Sequence, residues 1–402
     1  MNMKKKKPKM RRNIATDVVH GRQMIIDLKT RALSVPIYQS AVFTFESAEA
    51  GAAIFAKEKK GYFYTRLGNP TIEAFEDKMA YLEGGEAACA FASGMAAISG
   101  TVLSICNSGD EIIAVYPIYG CSYSFMVDVL PRWGIKVKWA KCDNFLTNVR
   151  KSITKTTKLI VIETPVNPTI DIIDIKATAE LAHKNKALLA VDNTFASFYN
   201  QKPLNLGTDI VMYSATKYIS GHGDTVGGVI IGKQDFINYV KDYTIRDLGA
   251  IISPFNAWLL LRGLRTMAVR MEAHNRNGLE VARFLEHHPK VSRVRYPGLT
   301  SHPQHHIAKK QMSNFSSMIA FELRGGREAG RKLMNSVKLC VCAVSLGDAA
   351  TLIEHPASMT HSSYTKQALK ESGISEGLVR MSVGIEDSRD IIADLEQALE
   401  KC

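Results

Sequence analysis

The chain has 402 residues, 46% of them hydrophobic, and a formal net charge of +12. That apolar share is ample for a large core and, with the length, implies roughly two or three domains. No stretch of about 18 apolar residues runs without a charge, and no apolar run follows the basic N-terminus, so neither a membrane span nor a secretory leader is expected.

In chain order, Lys4, Lys5, Lys6, Lys7, Lys9, Arg11 and Arg12 place seven cations ahead of the first acid, Asp17. No aromatic residue interleaves with them, so base stacking has no platform. The run reads as a solvated, disordered tail over residues 1–13, and no nucleic-acid or membrane partner is expected. Residues 34–45 read as extended, with Pro36 breaking any helix; residues 48–59 as a helix; residues 61–70 as a loop. Short apolar runs at residues 87–91, 111–115, 137–140, 159–163, 188–192, 210–214 and 226–231 then alternate with helix-like stretches such as 175–186. That alternation predicts an α/β domain built on a largely parallel, buried sheet. Residues 254–286 read as one long helical connector. Beyond it, strands at 318–322 and 378–383 with helices at 327–336 and 389–401 predict a smaller C-terminal α/β domain. The seven cysteines are odd in number and scattered, and Cys340-x-Cys342 has no second pair. Neither a metal site nor a disulfide framework is expected, and free thiols point to the cytoplasm.

Three strand ends carry chemistry. The segment Tyr213-Ser214-Ala215-Thr216-Lys217 ends a strand in a lysine. A charged amine there is costly, so its pKa should fall, and a neutral amine condenses with an aldehyde. Ser214 and Thr216 offer hydroxyls to a phosphate. Val191-Asp192-Asn193-Thr194 places an acid at the carboxyl end of another strand, where ligands of open α/β sheets sit. A buried carboxylate needs a positive partner, such as a protonated ring nitrogen. Ala92-Ser93-Gly94-Met95 takes a strand into a helix whose first N–H groups suit a phosphate. Together these are handles for the aldehyde, ring nitrogen and phosphate of pyridoxal phosphate. Each has a plain alternative: a surface lysine, an aspartate capping a turn, an ordinary helix start.

The combination resembles the fold-type I pyridoxal-phosphate enzymes, specifically the cysteine/methionine metabolism family of γ-lyases and γ-synthases. The resemblance covers nearly the whole chain after the tail. It rests on Tyr62-Phe63-Tyr64-Thr65-Arg66-Leu67-Gly68-Asn69-Pro70-Thr71, Ala92-Ser93-Gly94-Met95, Tyr119-Gly120, Glu163-Thr164-Pro165-Val166-Asn167-Pro168-Thr169, Val191-Asp192-Asn193-Thr194, Tyr213 to Tyr218, and Gly221-His222-Gly223-Asp224. The resemblance implies a mostly parallel seven-stranded sheet between helices. It also implies an N-terminal arm (14–67) that reaches a neighbouring active site, a large cofactor-binding domain (68–265) and a C-terminal domain (266–402). A dimer of chains sharing sites, assembling to a tetramer, follows from it.

The resemblance also assigns roles. Lys217 carries the cofactor. Asp192 faces the ring nitrogen, while Gly94, Met95, Ser214 and Thr216 hold the phosphate, with Tyr64 and Arg66 donated by the neighbouring subunit. Tyr119 stacks on the ring and acts as an acid toward the leaving group, and Asn167 bonds the phenolic oxygen. Arg380 clamps the substrate carboxylate, supported by Ser345. Structural alternatives stand beside these: a core tyrosine, a turn asparagine, a surface arginine, a loop serine. Cys121, expected in catalysis and substrate binding, the Lys241-Asp242 pair, expected near the substrate side chain, and the stretch Ser345-Leu346-Gly347-Asp348 with His355 to His361 resemble the methionine γ-lyase members of the family most. Cys121 also reads as no more than a buried small residue. The activity implied is α,γ-elimination of L-methionine to methanethiol, 2-oxobutanoate and ammonia. Cystathionine γ-lyase, cystathionine γ-synthase and O-acylhomoserine sulfhydrylase activities are the alternatives.

Overall fold

Short apolar runs, most of them ending in a polar residue or a glycine, pair into the main sheet of the computed structural model, which describes residues 12–21, 31–359 and 373–402. The tail through Arg11 lies outside the described residues, as does His361. The seven strands are β1 (Ala87–Phe91), β2 (Glu111–Tyr116), β3 (Lys136–Lys141), β4 (Thr157–Glu163), β5 (Leu188–Asp192), β6 (Ile210–Ser214) and β7 (Gly228–Gly232). They lie in the order β1-β7-β6-β5-β4-β2-β3. Only β7 runs against its neighbours; the other adjacent pairs are parallel. The expected mostly parallel seven-stranded sheet is therefore present. Its central strands are continuous apolar runs because helices cover both faces: Leu189, Ala190 and Val191 of β5 are fully buried.

The helices follow local signals. Pro70–Glu83 starts on Asn69, whose side chain accepts from the Thr71 backbone N–H, with Pro70 in the first turn; it stops at Gly84 in the left-handed region, φ 93°. Gly94–Ile105 starts on Ser93, which accepts from the Ala96 N–H. Ile175–Lys184 starts on Asp174 and buries Ile175, Thr178, Ala179 and Ala182, a one-face stripe that packs on β5.

A second sheet is built from β8 (Val291–Arg295), β9 (Met318–Leu323), β10 (Val341–Cys342), β11 (Leu352–Glu354) and β12 (Leu378–Ser382), in the order β10-β11-β12-β9-β8. Sequence patterning finds β9 and β12 but misses the others. β8 carries two arginines and a serine among its five residues, and β10 and β11 span only two and three residues.

The expected single connector is two helices, Pro254–Arg265 and Met267–His287. Thr266 leaves helical geometry at φ −102°, ψ 4°. Arg270 fastens the break, donating from Nη2 to the Gly263 carbonyl at 2.7 Å and from Nε to Thr266 Oγ1 at 3.2 Å. The signal missed is side-chain capping from within the following helix.

Candidate active site

Because β4, β5 and β6 are parallel, their carboxyl ends open on one edge of the sheet. β6 ends at Ser214, and the chain turns through Ala215 and Thr216 to Lys217. Thr216 Oγ1 accepts from the Gly227 N–H at 3.1 Å, which ties this turn to the approach of β7. The Lys217 amine donates to Ser345 Oγ at 2.6 Å. Burial, with the charge of Arg380 adding to it, brings the Lys217 amine down to about 8, and Glu354 works against that fall. Ser345 itself sits at φ 94°, a backbone region that L side chains rarely adopt. Strain of this kind persists only where surrounding contacts hold it, and here the Ser345 hydroxyl and carbonyl both serve the cleft.

One strand over, Asp192 ends β5 in register with Glu163, which ends β4. Asp192 Oδ1 accepts from the Thr194 N–H at 3.0 Å and from Thr194 Oγ1 at 2.5 Å; Thr194 Oγ1 in turn accepts from the Ser214 N–H at 2.9 Å. Glu163 accepts from the backbone N–H groups of Tyr119 (3.1 Å) and Asn167 (2.6 Å). Burial and then the facing Asp192 raise the Glu163 carboxyl, and burial raises Asp192. Two such acids side by side do not both ionise unless a cation joins them; otherwise one keeps its proton.

Arg380 lies in β12 of the smaller sheet and is only 7% exposed. It donates from Nη1 to Asn167 Oδ1 at 2.9 Å and from Nη2 to the Ser345 carbonyl at 3.0 Å, and pairs with Glu354 at 3.1 Å. Tyr119 immediately precedes the short helix Gly120–Ser124 and keeps 43% of its surface exposed. Burial of the rest, followed by its hydrogen bond with Cys121, pushes the Tyr119 phenol up to about 12, with Arg380 opposing. The phenol is thus protonated at neutral pH and able to donate.

The helix start at Gly94 presses against β6 and β7. A Cβ on Gly94 would lie 2.8 Å from Ser214 Cβ, and one on Gly228 would meet the Ser93 carbonyl at 2.1 Å. Glycine at both points lets backbone approach backbone, so that the N–H groups of Gly94 and Met95 open beside the Ser214 turn.

Tyr64, Arg66, Lys241 and Asp242 bond elsewhere within this chain. Arg66 donates to the Arg246 carbonyl and stacks on Tyr64 at 5.4 Å. Lys241 pairs with Glu76 at 2.5 Å, and Asp242 pairs with Lys57. Arg66 and Lys241 line one cavity of about 210 Å³ with Glu73 and Glu76.

Glu163, Glu354 and Glu76 are buried acids to which sequence reasoning gave no role. Glu163 ends an apolar run just as Asp192 does, so the same signal could have found it. Glu354 and Glu76 carry no such local mark.

The donor set fits pyridoxal phosphate: a lysine with a lowered pKa for the aldehyde, a pair of buried acids for a cationic ring nitrogen, and a glycine helix start for the phosphate. A seven-stranded sheet of this order, with the lysine after β6 and the acid at the end of β5, defines the fold-type I pyridoxal-phosphate enzymes. The chain belongs to the Cys/Met metabolism PLP-dependent enzyme family, whose family model matches residues 15–400. It is 51% identical over 371 residues to an L-methionine gamma-lyase of Fusobacterium nucleatum subsp. polymorphum, covering 92% of this chain and 94% of that protein. It is 49% identical over 398 residues to an L-methionine gamma-lyase of Porphyromonas gingivalis, covering 98% and 99%. Among solved structures it is similar to a putative O-acetylhomoserine (thiol)-lyase from Campylobacter jejuni with N'-pyridoxyl-lysine-5'-monophosphate at position 205, at TM-score 0.92 and 36% identity, covering 96% of this chain and all of that one.

Proposed function

We propose that this chain is a pyridoxal-phosphate carbon–sulfur lyase that converts L-methionine to methanethiol, 2-oxobutanoate and ammonia. The observation that carries the reading is the Lys217 amine, pushed toward neutrality and held by Ser345 beside the Arg380 guanidinium. The choice of L-methionine draws on the similarity to L-methionine gamma-lyases over more than nine-tenths of the chain.

Bound pyridoxal phosphate would supply an aldehyde for an amine and a protonated ring that accepts electron density from Cα. The residues present divide the remaining work. Arg380, with Asn167 and Ser345 fixing its fork, binds the substrate carboxylate. Asp192 would face the protonated ring nitrogen, whose charge would keep the buried carboxylate ionised. Lys217 takes the proton from Cα and moves one at Cβ, since one amine reaches both carbons. Tyr119, protonated and half exposed, gives its proton to the departing sulfur. Gly94, Met95, Ser214 and Thr216 would hold the phosphate, and Cys121, exposed and hydrogen-bonded to Tyr119, would contact the substrate's thioether.

Tyr64 and Arg66 act on the phosphate of a neighbouring copy, and Lys241 with Asp242 approach that copy's substrate. The bonding of Arg66 to the Arg246 carbonyl, of Lys241 to Glu76 and of Asp242 to Lys57 supports this reading, as do Val42, Phe45, Phe55 and Tyr64, large apolar side chains exposed on the arm. A dimer sharing two sites, assembling to a tetramer, covers that surface. The arm is residues 14–67, the cofactor domain 68–265 and the C-terminal domain 266–402. Seven free cysteines suit a reducing cytoplasm.

The test is incubation of the purified protein with L-methionine, assaying thiol and 2-oxo acid together. Equimolar release of both supports the assignment. Cleavage of cystathionine in preference to methionine, or synthesis from O-acetylhomoserine and sulfide, transfers it to another activity of the family.

A further inference from the structure

The carboxylate clamp contains a charge that the reaction does not require. Glu354 ends β11 directly opposite Arg380 of β12 in the antiparallel register. The two side chains are 5% and 8% exposed, and their charged groups stand 3.1 Å apart. Among the described residues, Glu354 Oε2 is buried without a hydrogen-bond partner. A buried pair with an unsatisfied oxygen is a poor stabiliser, since an apolar pair of similar volume does as well. Among the described residues, the titratable groups facing Glu354 are Arg380 from β12, Lys217 from the turn after β6 and Cys342 from β10. Two of them are cations of the substrate site.

We propose that Glu354 is a positioning residue that acts through Arg380 and Lys217. Its negative charge offsets both cations, weakening the hold of Arg380 on a carboxylate so that the carboxylate product leaves, and favouring the protonated form of the Lys217 nitrogen. The inference rests on the reading above for Lys217 and Arg380. By Coulomb's law in a partly screened site, removing one charge a few ångströms away changes anion affinity about tenfold and moves a titration by about one pH unit.

The experiment compares wild type, Glu354→Gln and Glu354→Asp as holoenzymes in two readouts. The first is calorimetric affinity for butanoate, a carboxylate with no amine to react. The second is the pH midpoint of the visible cofactor band with no substrate present. Glu354→Gln should bind butanoate about tenfold tighter and titrate about one unit lower, with KM and kcat for the substrate falling together. Glu354→Asp should restore both values toward wild type, because it keeps the charge. If the glutamine variant matches wild type in both readouts, or the aspartate variant follows the glutamine one, charge is not what Glu354 supplies and the proposal is overturned. A wild-type holoenzyme lacking any visible band contradicts the Lys217 reading instead, and the butanoate arm then decides Glu354 by itself.

Discussion

The two sheets contribute to one cleft in different ways. The seven-stranded sheet places its chemistry at strand ends: Glu163 ends β4, Asp192 ends β5, and Lys217 follows β6 by three residues. There the backbone leaves the ladder, side chains can turn into the cleft, and a charge costs less than it would in mid-strand. The five-stranded sheet places Arg380 in the middle of β12, with Glu354 opposite it and Ser345 on the strained approach to β11. An ion pair in that position survives only with hydrogen bonds around it, and Arg380 donates them to Asn167 Oδ1 and the Ser345 carbonyl. On the proposed function, the difference is a division of labour, in which the large sheet would move protons and charge while the small sheet would hold the substrate.

The sharpest way to break that division is to substitute at the large-sheet edge and look for a binding defect. Lys217→Ala should lower kcat by at least about 10⁴-fold, the full range of a positioned acid–base group, and abolish the visible cofactor band. Asp192→Asn should lower kcat by about 10²–10³-fold with KM nearly unchanged, since what is lost is a fixed charge aimed at the ring. Steady-state kinetics on both variants read this directly. A rise in KM with kcat preserved would place Asp192 in substrate binding instead.

On the small sheet the expected defect reverses. Arg380→Met should raise KM and, by leaving Glu354 buried and unpaired, destabilise the fold by about 3–5 kcal/mol. Denaturant unfolding separates this from Asp192→Asn, which leaves the midpoint close to wild type. Equal destabilisation by both would erase the distinction between the sheets.

The smallest effect concerns pH. Burial lowers Lys217 below the ordinary lysine value, to about 8. The amine must be neutral to attack an aldehyde, so cofactor uptake by the stripped protein should quicken as pH rises and level off above about 8. A rate still climbing at pH 10, as for an ordinary lysine, would show that the site does not depress the amine.

Much of this was legible before any coordinates. Asp192 ends a buried apolar run in a single charge, Lys217 follows another by three residues, and Gly94 marks a strand entering a helix. The large sheet reads clearly because its strands are apolar for their whole length. The small sheet does not, because β11 has only three residues and its pairing with β12 closes over 23 intervening positions of chain. Arg380 could be reached through resemblance, but Glu354 could not, since its meaning lies in a cross-strand register rather than in a local pattern. The same holds for the pairing of Lys241 with Glu76, which joins a helix near the start of the chain to a segment 165 residues later.

Reduction of the holoenzyme with borohydride, followed by peptide mapping, tests the central claim most directly. The account predicts a phosphopyridoxyl group fixed on the peptide containing Lys217 and on no other lysine. A label on a different lysine, or full retention of bound cofactor with Lys217 unmodified, would contradict it.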